Sequence, residues 1–457
     1  MRLLILFLLP IFTFSQTYKS DSYLICKIAL SGNKKTHSKI ILRELPFKVG
    51  DTLKSENITE QLRIAKENIL NTSLFNFADI DTFETRNDSI KISIKLVERW
   101  YLWPIPIFEQ ASRNFNSWFY DRDFDKINYG LFLAQQNFRG RNELLRIVFR
   151  RGFREQYGFA YSIPGIEKKQ KLGIEVKFLY YKQRKLAFST FENRPVYFYT
   201  DNYNYENSSS TISFTYRPEI YNKHNLEIAY NNYFITDTLF KVNPQFIWDN
   251  KNKTQFMFMS YSFTRDKRNS NYYPLKGYYT SIFLSKTGFG ILPDEINYYT
   301  INVKASKYFQ LSERFFLSTA AQAEYSNLKD YTYLFSHAFG YSNFTKGMEL
   351  YVIDGNGFVL SSNSFRYQLI KPHTWHIKKI KAEKFTKFHF AFYTSFNFDA
   401  GYVVNNLNIN MPHSNELLYG YGIGIDFVTY YDIVLRFEYS FNKFGEKGLF
   451  LHFNAPF

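Results

Sequence analysis

A single cysteine, Cys26, stands in 457 residues, so no internal disulfide can form. A secreted chain is free to lack disulfides, so this scarcity limits cross-links and not compartment. Proline is sparse at 13 residues. Past the N-terminus no stretch approaches the roughly 18 consecutive apolar residues of a membrane helix, which excludes helical spans. Catalytic signatures are missing too. The 8 histidines form no His-x-x-x-His pair beside an acid, no Gly-x-Ser-x-Gly elbow occurs, and a thiol mechanism is a poor fit to one cysteine. Ser440 and His452 fall in neighbouring runs, but both belong to a lumenal face and not to an outer-wall enzyme pair. No catalytic residue, metal ligand or cofactor is expected.

What the chain has in excess is aromatic: 50 Phe and 38 Tyr, 20% of residues with Trp included. From about Trp103 to Phe457, short runs alternate strictly between apolar and polar residues. Ile433, Leu435, Phe437, Tyr439 and Phe441 oppose Val434, Arg436, Glu438 and Ser440; Tyr419, Tyr421, Ile423, Ile425 and Phe427 oppose Gly420, Gly422, Gly424 and Asp426. Strand side chains point alternately to two faces, so these runs make sheets with one greasy and one wet side. A soluble sandwich alternates in the same way. Aromatic girdles at two lipid–water interfaces account for the aromatic excess, and a soluble core does not. A mean hydropathy of −0.34 fits, because half of each barrel strand faces a polar lumen.

The fold expected over residues 99–457 is a 16-stranded transmembrane β-barrel. Its runs lie near 100–110, 126–138, 141–152, 154–163, 170–183, 206–217, 223–235 and 253–265, then 276–288, 296–309, 313–326, 363–371, 386–401, 416–428, 431–442 and 447–457. The stretch 184–205 is open between loop and extra hairpin. Arg2, the apolar Leu3–Phe14 and Ser15-Gln16 read as a secretory signal peptide over residues 1–16. The formal charge of +16 is scattered through strand ends and loops, at Arg150, Arg151, Arg154, Lys168, Lys169, Lys171, Lys378, Lys379 and Lys381. On an exported barrel these residues suit lipid headgroup phosphates or acidic partners, and nucleic acid is not expected.

Residues 17–98 follow another grammar. Ile25, Lys27, Ile28 and Leu30 make a strand ending at the Gly32-Asn33 turn. Thr36 is placed to cap a short helix through Ile40, Ile41 and Leu45, and Gly50-Asp51 breaks it. A second helix follows Ser55, with apolar residues from Ile58 to Leu70. Two strands, around Phe77–Phe83 and Ile90–Leu96, flank an Asn87-Asp88 turn. The order β-α-α-β-β, with Gly32-Asn33, Thr36, Gly50-Asp51, Leu74-Phe75 and the exit at Glu98-Arg99, resembles a single POTRA domain (polypeptide-transport-associated). The resemblance implies a periplasmic module that docks extended peptides as an added strand.

The longest C-terminal interruption, Asn327–Ser362, carries Thr345-Lys346-Gly347-Met348-Glu349. This loop, with the POTRA-like domain, resembles the BamA/TamA-type outer-membrane protein-assembly family, whose sixth extracellular loop folds into the lumen on an Arg-Gly-aromatic-acidic motif. Lys346 stands at the family's arginine and Met348 at its aromatic; Gly347 and Glu349 are kept. An ammonium lacks the guanidinium's fork, so the loop is expected to be held more loosely, or differently. The family's lumenal acid with glycine two places on matches Asp399 and Gly401, with Asn397 where an aromatic is usual, and Asp399 is the expected partner of Lys346. Arg151-Gly152-Phe153 spells the triplet better but sits at a short turn and reads as a turn glycine. Arg265-Asp266 through Pro274 and Gly277 matches a family turn.

Gly448, Leu451, Phe453 and the terminal Phe457 fit the C-terminal signal by which barrels are themselves assembled. Pro104 and Pro106 remove ladder donors from the first strand, which marks a weak seam against Leu451 and Phe453 in the last. The resemblance implies an outer-membrane assembly, insertion or translocation factor of a Gram-negative type envelope, with its N-terminal domain in the periplasm. The partners it implies are outer-membrane lipids, unfolded barrel clients and periplasmic or lipoprotein assembly partners. The alternative is a secretion or diffusion pore of the two-partner-secretion type, a group that usually carries two POTRA units.

Overall fold

The computed structural model of the chain describes residues 21–85, 88–110, 127–293, 295–376, 387–429 and 433–454. The signal peptide, Lys378, Lys379, Lys381, Asn87 and Phe457 fall outside these residues.

The N-terminal domain runs β1 (Ser22–Ser31), α1 (Ser38–Leu42), β2 (Thr52–Lys54), α2 (Ile58–Asn71), β3 (Phe75–Thr85) and β4 (Ser89–Glu98). The strands form one sheet in the order β2-β1-β4-β3. β2 is an addition to the expected pattern: three residues that pair antiparallel with Ser22–Leu24 between the two helices. The two helices cover one face, where Ile25, Ile41, Ala65, Ile69, Ile92 and Ile94 form a dry core. Thr36 does not cap α1, whose N-cap is His37 without a side-chain bond. Its hydroxyl instead donates to Glu98 Oε1 at 2.7 Å, because burial beside that carboxylate offers a charged acceptor.

Sixteen strands then form one antiparallel ladder. It begins with β5 (Leu102–Gln110), β6 (Ile127–Phe138), β7 (Glu143–Gly152), β8 (Arg154–Ile163) and β9 (Leu172–Gln183). The chain next leaves the ladder for a separate hairpin, β10 (Lys185–Phe191) and β11 (Arg194–Tyr199), which answers the open stretch 184–205. The ladder resumes with β12 (Tyr205–Tyr216), β13 (Asn222–Ile235), β14 (Lys253–Asp266), β15 (Gly277–Thr287), β16 (Tyr298–Gln310) and β17 (Phe315–Ser326). A loop with two short strands, β18 (His337–Phe339) and β19 (Ile353–Asp354), precedes β20 (Gly357–His376). The last strands are β21 (Lys387–Val404), β22 (Leu417–Thr429), β23 (Val434–Asn442) and β24 (Lys447–Asn454).

The expected loop Asn327–Ser362 is therefore shorter, because Gly357–Ser362 already pair with β17 and β21. Alternation sets the two faces throughout. On β22 Tyr419, Tyr421, Ile423 and Ile425 are exposed outward while Leu418, Gly420, Gly422, Gly424 and Asp426 are buried inward. The same parity turns Arg150 and Arg154 into the lumen, away from the lipid headgroups expected for them; Arg150 Nη1 donates to Gln156 at 2.7 Å. Among the described residues no helix is long and apolar enough to cross a membrane, which says nothing about strands.

Candidate functional site: the lumen loop and the open edge

Thr36, Leu74-Phe75 and Glu98-Arg99, which carry part of the POTRA resemblance, meet at one joint. Glu98 Oε1 accepts from the Lys35 and Thr36 amides at 2.9 and 2.7 Å, and from the Thr36 hydroxyl. Tyr101 donates its hydroxyl to the Leu74 carbonyl at 3.0 Å, and Asn137, at the end of β6, donates to Thr36 Oγ1 at 2.8 Å. Arg99 Nε donates to the Phe75 carbonyl at 3.0 Å. Burial pushes the Tyr101 phenol well above its usual range. The domain also spans other periplasmic turns. Glu44 and Arg217 form a two-pronged pair with both N···O distances at 2.7 Å, and Asn71 contacts Arg268, Asn269 and Asn271.

The loop 327–356 descends into the lumen. Met348 is buried with Phe339, Ile353, Phe358, Leu360, Val403 and Leu418. Gly347 has φ +72 and lies so close to β23 that a Cβ would come within 2.8 Å of the Phe441 carbonyl carbon. Opposite it, a Cβ on Gly420 would reach 1.8 Å from the Lys346 carbonyl oxygen. Gly420 on β22 is thus the notch that admits this loop. Asn442 Nδ2 closes it by donating to the Gly347 carbonyl at 3.0 Å.

The structure corrects the expected partner of Lys346. Its ammonium lies 3.2 Å from Glu438 Oε2, and among the described residues it makes no ion pair with Asp399. Glu438 is fully buried and further held by Asn397 Nδ2 at 2.8 Å and Ser440 Oγ at 2.6 Å. The physical reason is geometric: Asn397 and Ser440 aim the Glu438 carboxylate at the loop. Asp399 stays buried on β21, opposite Ser362 and Gly420. Gly401 does provide space, but for the Phe339 ring, whose Cζ would stand 2.5 Å from an added Cβ. Asn397, which departs from the family pattern, therefore organises the contact.

Below this pair, Arg436 forks onto Asp426 at 2.6 and 2.8 Å, and Tyr273 donates to the same carboxylate at 2.7 Å. Tyr273 precedes Pro274 in the family-like turn, so that turn feeds the lumenal network. Glu349 is buried, with His452 Nε2 3.7 Å from its Oε1. Glu349, Glu438 and His452 bring potential ligand atoms within 4.8 Å of one another although no metal motif links them in sequence. Lys346 already brings a cation to that group. Glu438 and Arg436 were visible in the sequence as inward polar residues, but alternation alone does not pair them across strands.

Gly152 sits at the β7–β8 turn with φ +116, the role given to it by its short connection. On β24 Leu449, Leu451 and Phe453 face outward, with Gly448, Phe450 and His452 inward. The ladder runs from β24 to β5, and among the described residues no pairing joins those two strands. The Tyr101 carbonyl accepts from the Gln136 amide at 2.7 Å, so odd residues of β5 bond β6. Pro104 and Pro106 consequently sit with their missing N–H groups on the edge of β5 turned away from β6.

A sixteen-stranded ladder with an outward aromatic face, a loop lodged in its lumen and a POTRA-type domain at the mouth defines a barrel of the outer-membrane class. The Omp85 superfamily domain profile matches residues 137–447, and the POTRA profile described as surface antigen variable number repeat matches residues 23–99; the chain belongs to the Omp85 superfamily. Barrels of this superfamily sit in the outer membrane with POTRA domains in the periplasm. Among solved structures, BamA from Haemophilus ducreyi lacking POTRA domains 1–3 is similar at 16% identity and TM-score 0.51, covering 94% of this chain and 84% of that one. CdiB from Escherichia coli is similar at 12% identity and TM-score 0.54, covering 94% and 75%. Both likenesses concern the fold. No curated protein matches the chain.

Proposed function

We propose that this protein assembles or inserts outer-membrane proteins, receiving extended client segments at the POTRA-type domain and passing them to the edge between β5 and β24. The observation that carries this reading is that edge: among the described residues no strand pairing joins β5 and β24, and two prolines stand on the side of β5 turned away from β6. Unpaired strand edges are templates for an incoming strand, and the first and last strands close with the largest loop. The alternative, a secretion or diffusion pore, fits less well with a lumen occupied by the Lys346 loop and a domain strapped across the mouth. The reading includes no enzymatic step.

The test is a set of cysteine pairs placed between residues 103–107 and 449–453. Cells relying on the cross-linked form are expected to lose outer-membrane barrels, and reduction is expected to restore them. Unchanged barrel levels in the locked form sink the proposal. Planar-bilayer conductance separates the alternative: a large, steady conductance that ignores deletion of 340–350 would identify a pore.

A further inference from the structure

Where the N-terminal domain meets the periplasmic end of the barrel, a cavity of about 480 Å³ lies apart from the lumen loop and from β5. Arg43 and Glu44, just past α1, and Asn71, at the end of α2, line it from the domain. Ser162, Thr215, Lys223 and Thr264 line it from β8, β12, β13 and β14. They lie on the inward faces, because Phe159, Phe214, Leu226 and Tyr261, of opposite parity, are exposed outward.

Its charges do not balance. Four cations, Arg43, Arg217, Lys223 and Arg268, stand around it against two carboxylates, Glu44 and Asp266. Both carboxylates are taken: Glu44 by the fork of Arg217, and Asp266 by Arg268, whose Nε donates at 2.8 Å. Among the described residues Arg43 and Lys223 make no ion pair, and the Arg217 charge repels both. Glu167 and Glu175 act on them only from a distance, and the Glu167 carboxylate already accepts from the Lys169 and Lys171 amides at 3.0 and 2.9 Å. Burial first, and then Arg217, hold the Arg43 guanidinium below its ordinary pKa, as befits a cation short of counter-charge. Lys223 is exposed, and its inward parity turns that exposure to the cavity and the lumen.

A cleft walled by one sign of charge concentrates the opposite sign. The walls also offer more than charge. Asn142, Ser162 and Thr264 line the cavity with amide and hydroxyl groups that make no side-chain hydrogen bond among the described residues. Such groups match a peptide backbone, which brings a donor and an acceptor at each residue. The volume is in the range of small-ligand pockets and admits a short length of chain.

We propose that this cavity binds an acidic stretch of polypeptide, its carboxylates on Arg43 and Lys223 and its backbone against the amide and hydroxyl walls. That the carboxylate arrives on a peptide rests on the client-handling function proposed above; the surplus of cations does not.

The experiment titrates the full chain in non-ionic micelles, by calorimetry, with a blocked tetrapeptide of alternating aspartate and serine and with its asparagine counterpart. Saturable binding of the acidic peptide, about tenfold tighter than of the neutral one, is expected. Arg43→Gln and Lys223→Gln should each weaken it severalfold, and Lys253→Gln, at the extracellular start of β14, should not. All three variants must keep the heat-modifiable gel mobility of the folded barrel. Equal affinity for the two peptides, absence of binding, either cavity variant binding like the parent, or an equal loss in Lys253→Gln overturns the proposal. Inorganic phosphate that binds as tightly as the acidic peptide overturns it too, since the walls would then add nothing. Should Arg43→Gln fail to fold, Lys223→Gln carries the test together with salt: binding that is indifferent to about 0.5 M salt overturns the proposal. Barrel levels in cells play no part in these measurements, so the site and the assembly function can fail separately.

Discussion

Lys346 reaches a carboxylate that is wholly out of water, and two neutral side chains hold that carboxylate in place. Removing one member of such a pair leaves the other charged and unmatched, at a cost of about 3–5 kcal/mol. Lys346→Ala and Glu438→Ala are each expected to lower the temperature at which the folded band is lost on semi-native gels, and to open the loop 327–356 to protease. The double variant should be little worse than either single one, because one contact is lost once. Asp399→Ala should do less than Glu438→Ala; the reverse order would restore Asp399 as the partner. Alternation along β21 and β23 made both acids legible as lumenal. Choosing between them was beyond the sequence, because the choice depends on Asn397 reaching across β22 to Glu438, a contact 41 residues apart.

At the level of elements, long alternating runs were legible nearly to the residue, since each carries its own two-faced pattern. β2 was not: three residues have no period, and only the neighbouring β1 makes Thr52–Lys54 a strand. The start of β20 was also missed, because Phe358 and Leu360 turn inward onto a packed loop, and the polar-in, apolar-out pattern fails there. The extracellular turn 288–297 is held by a different device. Glu295 is partly buried, which raises its pKa, but its carboxylate accepts from the amides of Ile291, Met257 and Leu292 at 2.9, 3.2 and 3.3 Å, and the outcome is a lowered pKa. A lowered carboxylate contributes stability that is present above the unfolded value of about 4.3 and fades as pH falls through the lower folded value. Amide exchange in this turn is therefore expected to rise only in strong acid for the parent, and already at neutral pH for Glu295→Gln. Equal exchange in both proteins at pH 7 would contradict this account.

For the whole molecule, the barrel and its N-terminal domain are joined where Glu44 and Arg217 bond at two points and where Glu98 and Thr36 pin the connection. Arg217→Ala leaves Glu44 buried without its fork and should free the domain. Faster trypsin cleavage near Arg99 with the barrel still folded is the expected sign; unchanged cleavage would mean the Glu98 joint suffices. The wall of this barrel is also uneven. Outward apolar side chains occupy six successive alternate positions on β22, from Leu417 to Phe427, but three on the described part of β24, from Leu449 to Phe453. At about 3.4 Å per residue that is a band of about 34 Å along one strand and about 14 Å along the other. Lipid tails that meet the described part of β24 have less apolar wall to cover than those on β22, which favours splayed or shortened tails beside the last strand.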